Sequence, residues 1–189
     1  HRLTSSFILG YHGCDESVGE RLLAGEAFQP SNNDYDWLGP GAYFWEASPR
    51  RGLEFAREAM SRKGSGITRP YVVGAVIDLR RCLDLTTPEG LSLVRDAHES
   101  LMGMSRAAKY RMPVNDDSLL RRRLDCAVIR QLHLIRAEAG LPAIDTIKVF
   151  VEGPPLYPGA GFASKTHVQI AVCNLDCIKG VFRVRPSDL

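Results

Sequence analysis

The stretch PYVVGAVIDLRRCLDLTT, residues 70–87, is strongly apolar and β-branched as far as Asp78, turns there and then resumes. Valine and isoleucine are stiff at χ1 and pack well on a pleated surface, so this segment reads as strand. Similar runs recur along the chain. SSFILGYHG (5–13) reads as a buried strand ending at Gly13, AYFWEASPRRGLEFAREAMSRKG (42–64) returns to strand and then helix, and TIKVFVEG (146–153) is another strand. THVQIAVCN (166–174) and IKGVFRVRP (178–186) close the chain as two more. Helices alternate with them. Asp15 is placed to cap one whose apolar face is Val18, Leu22 and Leu23 and whose stop is Gly25. Ser48 as N-cap and Pro49 at the first helical position open a second. From about 88 to 145 the pattern is helical in at least two segments. In the later one Leu120, Leu124, Val128 and Leu132 form a stripe four residues apart, with Asp117 as cap and Gly140 as stop. SNNDYDWLGPG (31–41) and PPLYPGAGFASK (154–165) are dense in turn formers and read as loops. There are no repeats or linkers, so the expectation is one domain spanning 1–189, of α+β class, with 88–145 as a helical insertion.

The length of 189 residues suffices for a single buried core. A net charge of +2 does not by itself call for a nucleic-acid partner. No apolar run reaches membrane-spanning length, and the N-terminus lacks the basic-then-apolar pattern of a leader; the first residue is His1. Five cysteines, an odd number and widely scattered, argue against a disulfide framework and suit a reducing, cytoplasmic compartment. Cys173 and Cys177, in CNLDC, have no second pair to complete a zinc site, so no metal is expected.

LGYHG poses the functional question. A histidine before a glycine at the end of a strand is either turn chemistry or a ring nitrogen and a bare amide aimed together at a ligand. Tyr43 starts a later strand after a polar loop, Phe55 lies on the helix that follows, and Gln169 is mid-strand near the end of the chain. Converging, such groups suit a flat, polar, amide-bearing ligand.

Four segments carry a family resemblance: YHGCDESVGERLLAGEAFQP, LGPGAYFWEASPRRGLEFA, YVVGAVIDLRRCLDL and PLYPGAGFASKTHVQIAVCN. In this order they resemble the diphtheria-toxin-like branch of the ADP-ribosyltransferases, which includes the poly(ADP-ribose) polymerases. The helical stretch 88–145 has no counterpart there. The resemblance implies the ADP-ribosyltransferase fold, with central split mixed β-sheets around an NAD cleft, and NAD as co-substrate. It implies that His12 bonds the ribose, that the Gly13 backbone holds the nicotinamide carboxamide, and that Tyr43 and Phe55 cover the two faces of the ring. Ser31, Asn32, Asp34 and Tyr35 fall in the donor loop over the adenosine half, and each reads equally as surface-turn chemistry.

Two departures qualify it. The family's serine three residues before the second aromatic is here Gly52. Its catalytic glutamate is here Gln169, which keeps a hydrogen bond but lacks the charge and cannot act as a base. Members without this glutamate are mono-ADP-ribosyltransferases or inactive, so single transfer to a macromolecular acceptor, protein or RNA or DNA, is the expected activity. The alternatives are a binding module for NAD or ADP-ribose, and an NAD glycohydrolase. His167, two residues before Gln169 on the same strand face, reads as a proton acceptor, as a contact to the acceptor substrate, or as a rim residue. Glu152 and Asp125 are the other carboxylates near these segments. The basic run Arg121–Arg123, with Arg106, Lys109, Arg111 and Arg130, reads as a solvated helix face or as a surface for nucleic acid or an acidic protein. A toxin or defence effector held by an inhibitor protein, with no membrane role, fits the family analogy.

Overall fold

Residues 7–118 and 120–189 are described by the computed structural model. They form β1 (Phe7–Asp15), α1 (Glu16–Leu23), β2 (Ala42–Glu46), α2 (Pro49–Met60), β3 (Pro70–Asp78), β4 (Cys82–Asp84), α3 (Pro88–Ala108), α4 (Arg123–Glu138), β5 (Thr146–Val151), β6 (His167–Val172) and β7 (Ile178–Arg183). The class is α+β. The strands build one seven-stranded sheet of order β4-β5-β6-β2-β1-β3-β7, antiparallel except for the parallel pair β4–β5. β6 therefore sits between β5 and β2, while β7 pairs with β3 at the far edge. Where two split sheets are expected, the strands here share one sheet, and its weak point is the short seam between β1 and β2. Ser5 and Ser6 of the expected first strand lie outside the described residues.

The two faces of the sheet carry separate cores. Ala42, Phe44, Ile170, Val172, Val73, Ala75 and Ile77 pack with Leu22 of α1 and with Phe28. On the other face, Ile147 and Ala171 pack with Ala97 and Leu101 of α3 and Val128, Ile129 and Leu132 of α4. On that second face α2 lies over β1 and β3. Helices α3 and α4 thus cover one half of the face and α2 the other, which leaves the middle strands β2 and β6 between them.

Local signals explain most element ends. Asp15 accepts from the Ser17 amide at 3.0 Å, which caps α1, and also from the amides of Thr68 and Arg69 at 2.8 and 2.9 Å. Those five-centre contacts, completed by the Ser17 and Thr68 hydroxyls, hold its carboxyl far below the ordinary range, the Arg69 amide contributing most. Ser48 caps α2 through the Arg51 amide, and Gly140 follows α4 with a positive φ of 64°.

The expected cap Asp117 does not cap α4. Instead the chain turns back on itself, with an Asn115↔Arg122 bridge and the Asp116 amide on the Arg121 carbonyl at 2.9 Å. That turn delays the helix to Arg123 and puts Asn115 Oδ1 on the Leu124 and Asp125 amides at 3.0 and 3.2 Å. Leu120 falls before the helix and is 64% exposed, so only Leu124, Val128 and Leu132 of the stripe pack inward.

The five cysteines are thiols, with no disulfide among them. Burial pushes Cys14 and Cys177 up to about 11 and Cys173 up to about 12, which leaves them protonated and unreactive at neutral pH. Among the described residues no helix is long and apolar enough to cross a membrane.

Candidate functional site

The β1–β2 ladder holds only two residue pairs, Gly10↔Glu46 and Tyr11↔Trp45. Just before them, the Leu9 carbonyl accepts from the Ala47 amide at 2.9 Å, so the peptide groups of Leu9 point toward β2. Strand peptide groups alternate in direction with period two, so those of Tyr11 and Gly13 point the same way. A continuing ladder would next join Gly13 to Tyr43. Instead the Tyr43 carbonyl lies 2.8 Å from His12 Nδ1. The imidazole takes the acceptor that Gly13 would have used, and the sheet parts. The N–H and C=O of Gly13 are left facing the seam without a ladder partner on β2.

A carbonyl only accepts, so Nδ1 of His12 carries the proton and Nε2 is the bare acceptor. The ring sits edge-on to Phe28, with centroids 5.3 Å apart, and 5.6 Å from Phe44. Burial lowers its pKa below the ordinary 6.5, and the bond to Tyr43 only partly opposes this. His133 and His167 are lowered as well, burial again leading. A group with a depressed folded pKa binds fewer protons in the folded state, so its stabilisation is complete above 6.5 and is lost as pH falls below that value. The lowered carboxylates Asp15, Glu20, Glu58 and Asp188 act in the same direction but only below about pH 4.5. Urea midpoints measured from pH 8 to pH 4.5 should therefore fall below pH 6.5. His12→Asn, whose amide can still donate to the Tyr43 carbonyl, should flatten that fall.

Alternation places Tyr43 and Trp45 on the opposite face of the sheet from His12, together with their register partners Ala171 and Gln169. His12 and Gln169 do not share a face; they approach the seam from two sides. Over Gly13 on the second face runs α2. A Cβ on Gly13 would overlap the Gly52 carbonyl oxygen, and one on Gly52 would lie 3.0 Å from Val72 Cγ2. The crossing is too tight for a serine at 52 without a shift, which gives the departure at that position a packing cause.

Phe55, one turn further along α2, packs on Trp45 with ring centroids 4.7 Å apart. Tyr43 is anchored rather than free: its hydroxyl donates to the Gly39 carbonyl at 2.7 Å and accepts from the Leu38 amide at 3.1 Å. Burial pushes its pKa far above the ordinary tyrosine value, so it stays neutral.

Gln169 Oε1 accepts from the indole N–H of Trp37 at 2.8 Å. Only the amide oxygen can do this, so the orientation is fixed and Nε2 points elsewhere as a donor. Trp37 in turn carries the Arg122 guanidinium 4.2 Å above its ring. His167 directs Nδ1 to the Lys165 carbonyl at 2.5 Å, which leaves its Nε2 as an acceptor. Lys165 pairs with Glu58 of α2 at 2.8 Å and so ties the loop before β6 to that helix.

The 31–41 loop is held by its own polar groups and by α4. The Ser31 hydroxyl donates to Asp36 at 2.6 Å, Asn32 accepts from Arg130 at 2.6 Å, and Asp34 pairs with Arg123 at 3.1 Å. Tyr35 lies under Arg121 at 5.7 Å. Ser31, Asn32 and Tyr35 are thus on the loop as expected, each engaged within the chain. Much of the basic run is spent on holding this loop. Asp125 pairs with Arg122 at 4.0 Å, and Glu152 is exposed after β5.

Sequence reasoning missed Trp37, Trp45 and Arg51. A tryptophan inside a turn-rich loop was the available signal for Trp37, since so large a ring in a loop must dock on something.

Searches of protein-family models, curated proteins and solved structures found no match for this chain.

Proposed function

We propose that the chain is an NAD-dependent mono-ADP-ribosyltransferase with the fold of the poly(ADP-ribose)-polymerase-like branch. The observation that carries the reading is the parted seam, where the Gly13 N–H and C=O are held open by the His12–Tyr43 bond. A planar carboxamide needs one donor and one acceptor side by side, and a glycine peptide in an unpaired strand edge offers both. His12 Nε2 accepts from the ribose, and Gln169 meets the ribose from the other side. The bond between ribose C1′ and the nicotinamide nitrogen breaks, and its electron pair leaves with nicotinamide. A nucleophile of a protein or nucleic acid then bonds C1′ and gives its proton to His167 Nε2. Because Gln169 brings no charge, positioning supplies most of the rate, and single transfer fits better than chain growth. A toxin or defence role with an inhibitor partner extends the same proposal.

A second reading, a module that binds NAD or ADP-ribose without turnover, is favoured by one observation: Gln169 is neutral and its oxygen is already bonded to Trp37. Nicotinamide release from NAD, with and without cell extract, separates the two. Release with label appearing on protein or nucleic acid supports transfer, and release to water alone means a glycohydrolase. His12→Asn should lower release on the order of 10²-fold, by analogy with loss of one preorganised hydrogen bond. A native protein that neither binds NAD nor releases nicotinamide ends the proposal.

A further inference from the structure

Three buried side-chain polar atoms among the described residues lack a hydrogen bond: Glu16 Oε2, Trp45 Nε1 and Arg51 Nε. Glu16 has an ion-pair partner in Arg69 at 2.7 Å. The other two are both donors, and both belong to the face of the seam that α2 covers.

Their positions are linked residue by residue. Trp45, 2% exposed, stands opposite Gln169 on β6 and Tyr11 on β1. Its ring packs on Phe55, and Arg51 is four residues before Phe55, hence one turn along the same helix face. Arg51 also acts electrostatically on His167, two residues from Gln169 on the same strand face. Trp45, Phe55, Arg51, His167 and Gln169 are therefore neighbours on one face of the sheet. The Arg51 charge is already met, with Nη1 at 3.3 Å from Glu54 and 3.4 Å from Glu58, while Lys165 also pairs with Glu58. A neutral oxygen suits such a place better than a phosphate or carboxylate.

A buried N–H without an acceptor is costly, and evolved cores rarely keep two together. Resting on the NAD reading above, we propose that Trp45 Nε1 and Arg51 Nε donate to the carboxamide oxygen of nicotinamide, supplying what a serine at position 52 cannot. The Phe55 ring, which covers Trp45 at 4.7 Å, moves aside to admit the ligand and then closes over the pyridine.

Titration of nicotinamide and of thionicotinamide, whose sulfur is the weaker acceptor, into the native protein, Trp45→Phe and Arg51→Lys tests this. Native protein should prefer nicotinamide. Trp45→Phe should bind nicotinamide about 5–10-fold more weakly, the worth of one ordinary hydrogen bond, and should lose most of that preference. Its Tm should hold or rise, because an unpaired buried donor has gone. Arg51→Lys keeps the charge toward Glu58 but has no Nε–H, and should shift in the same direction; it carries the test if Trp45→Phe does not fold. Native affinity for nicotinamide in both variants overturns the inference and leaves the NAD reading standing. Failure of the native protein to bind either compound or NAD overturns the NAD reading itself.

Discussion

Gln169→Glu should raise nicotinamide release from NAD by about 10²–10³-fold, the usual worth of one preorganised electrostatic contact at a developing charge. The geometry favours a clean substitution. Trp37 donates to Oε1 at 2.8 Å, and a carboxylate accepts from the same indole at least as well. Under the proposed function, what changes is the charge placed beside a ribose that becomes cationic as nicotinamide departs. The register opposite Trp45 and Val149 is set by backbone, so the strand need not move. Steady-state release at saturating NAD, compared between the two forms, reads the effect directly. Equal rates would show that the position does not face the reacting ribose. Release confined to the glutamate form would mark the native chain as a binder.

Gly13→Ala should be strongly destabilising. The added carbon would meet the Gly52 carbonyl oxygen, and it would lie 3.0 Å from the Gly52 carbonyl carbon and 3.3 Å from the Ala56 amide nitrogen. These are backbone atoms of α2, so no rotamer change relieves the overlap and the helix itself must lift. Overpacking of this kind costs about 3 kcal/mol or more, which for a chain of this size lowers Tm by roughly 6–12 °C. NAD binding should fail with it, because the helix that lifts carries Phe55 and Arg51. Gly180→Ala is the matched control: nothing lies within 4 Å of its Cβ and its φ is ordinary, so its Tm should stay near native. A Gly13→Ala protein with native Tm would mean that α2 does not pack on β1 as described.

Strand and helix identities were legible because each element carries its own local signal. The β-branched run at 70–78, the Asp15 and Ser48 caps and the Gly140 stop all act within a few residues of themselves. The delayed start of α4 was not legible. Asp117 has the right chemistry, but Asn115 wins because the bridge to Arg122 brings it to the helix end, a contact no local pattern announces.

The site divides in the same way. His12, Gly13, Tyr43, Phe55 and Gln169 stand out in sequence by residue type, yet the partition between the two faces of the sheet depends on the register of β1, β2 and β6. That register is a long-range pairing, which is why His12 and Gln169 turn out to approach from opposite sides. Trp37 and Trp45 stayed hidden for a different reason. A tryptophan reads first as core, and only the missing acceptor of one and the Gln169 contact of the other mark them as more.

Those two indoles give the molecule a built-in optical probe. The chain has two tryptophans, and both flank Gln169, one hydrogen-bonded to its amide and the other opposite it across the strand pair. Ultraviolet-excited emission at long wavelength therefore originates entirely beside the seam. One fluorophore is shut away under an aromatic ring, and the other is half-open beneath a guanidinium. Their spectra will separate by polarity, so occupancy of the cleft can be followed in real time on native, unlabelled protein.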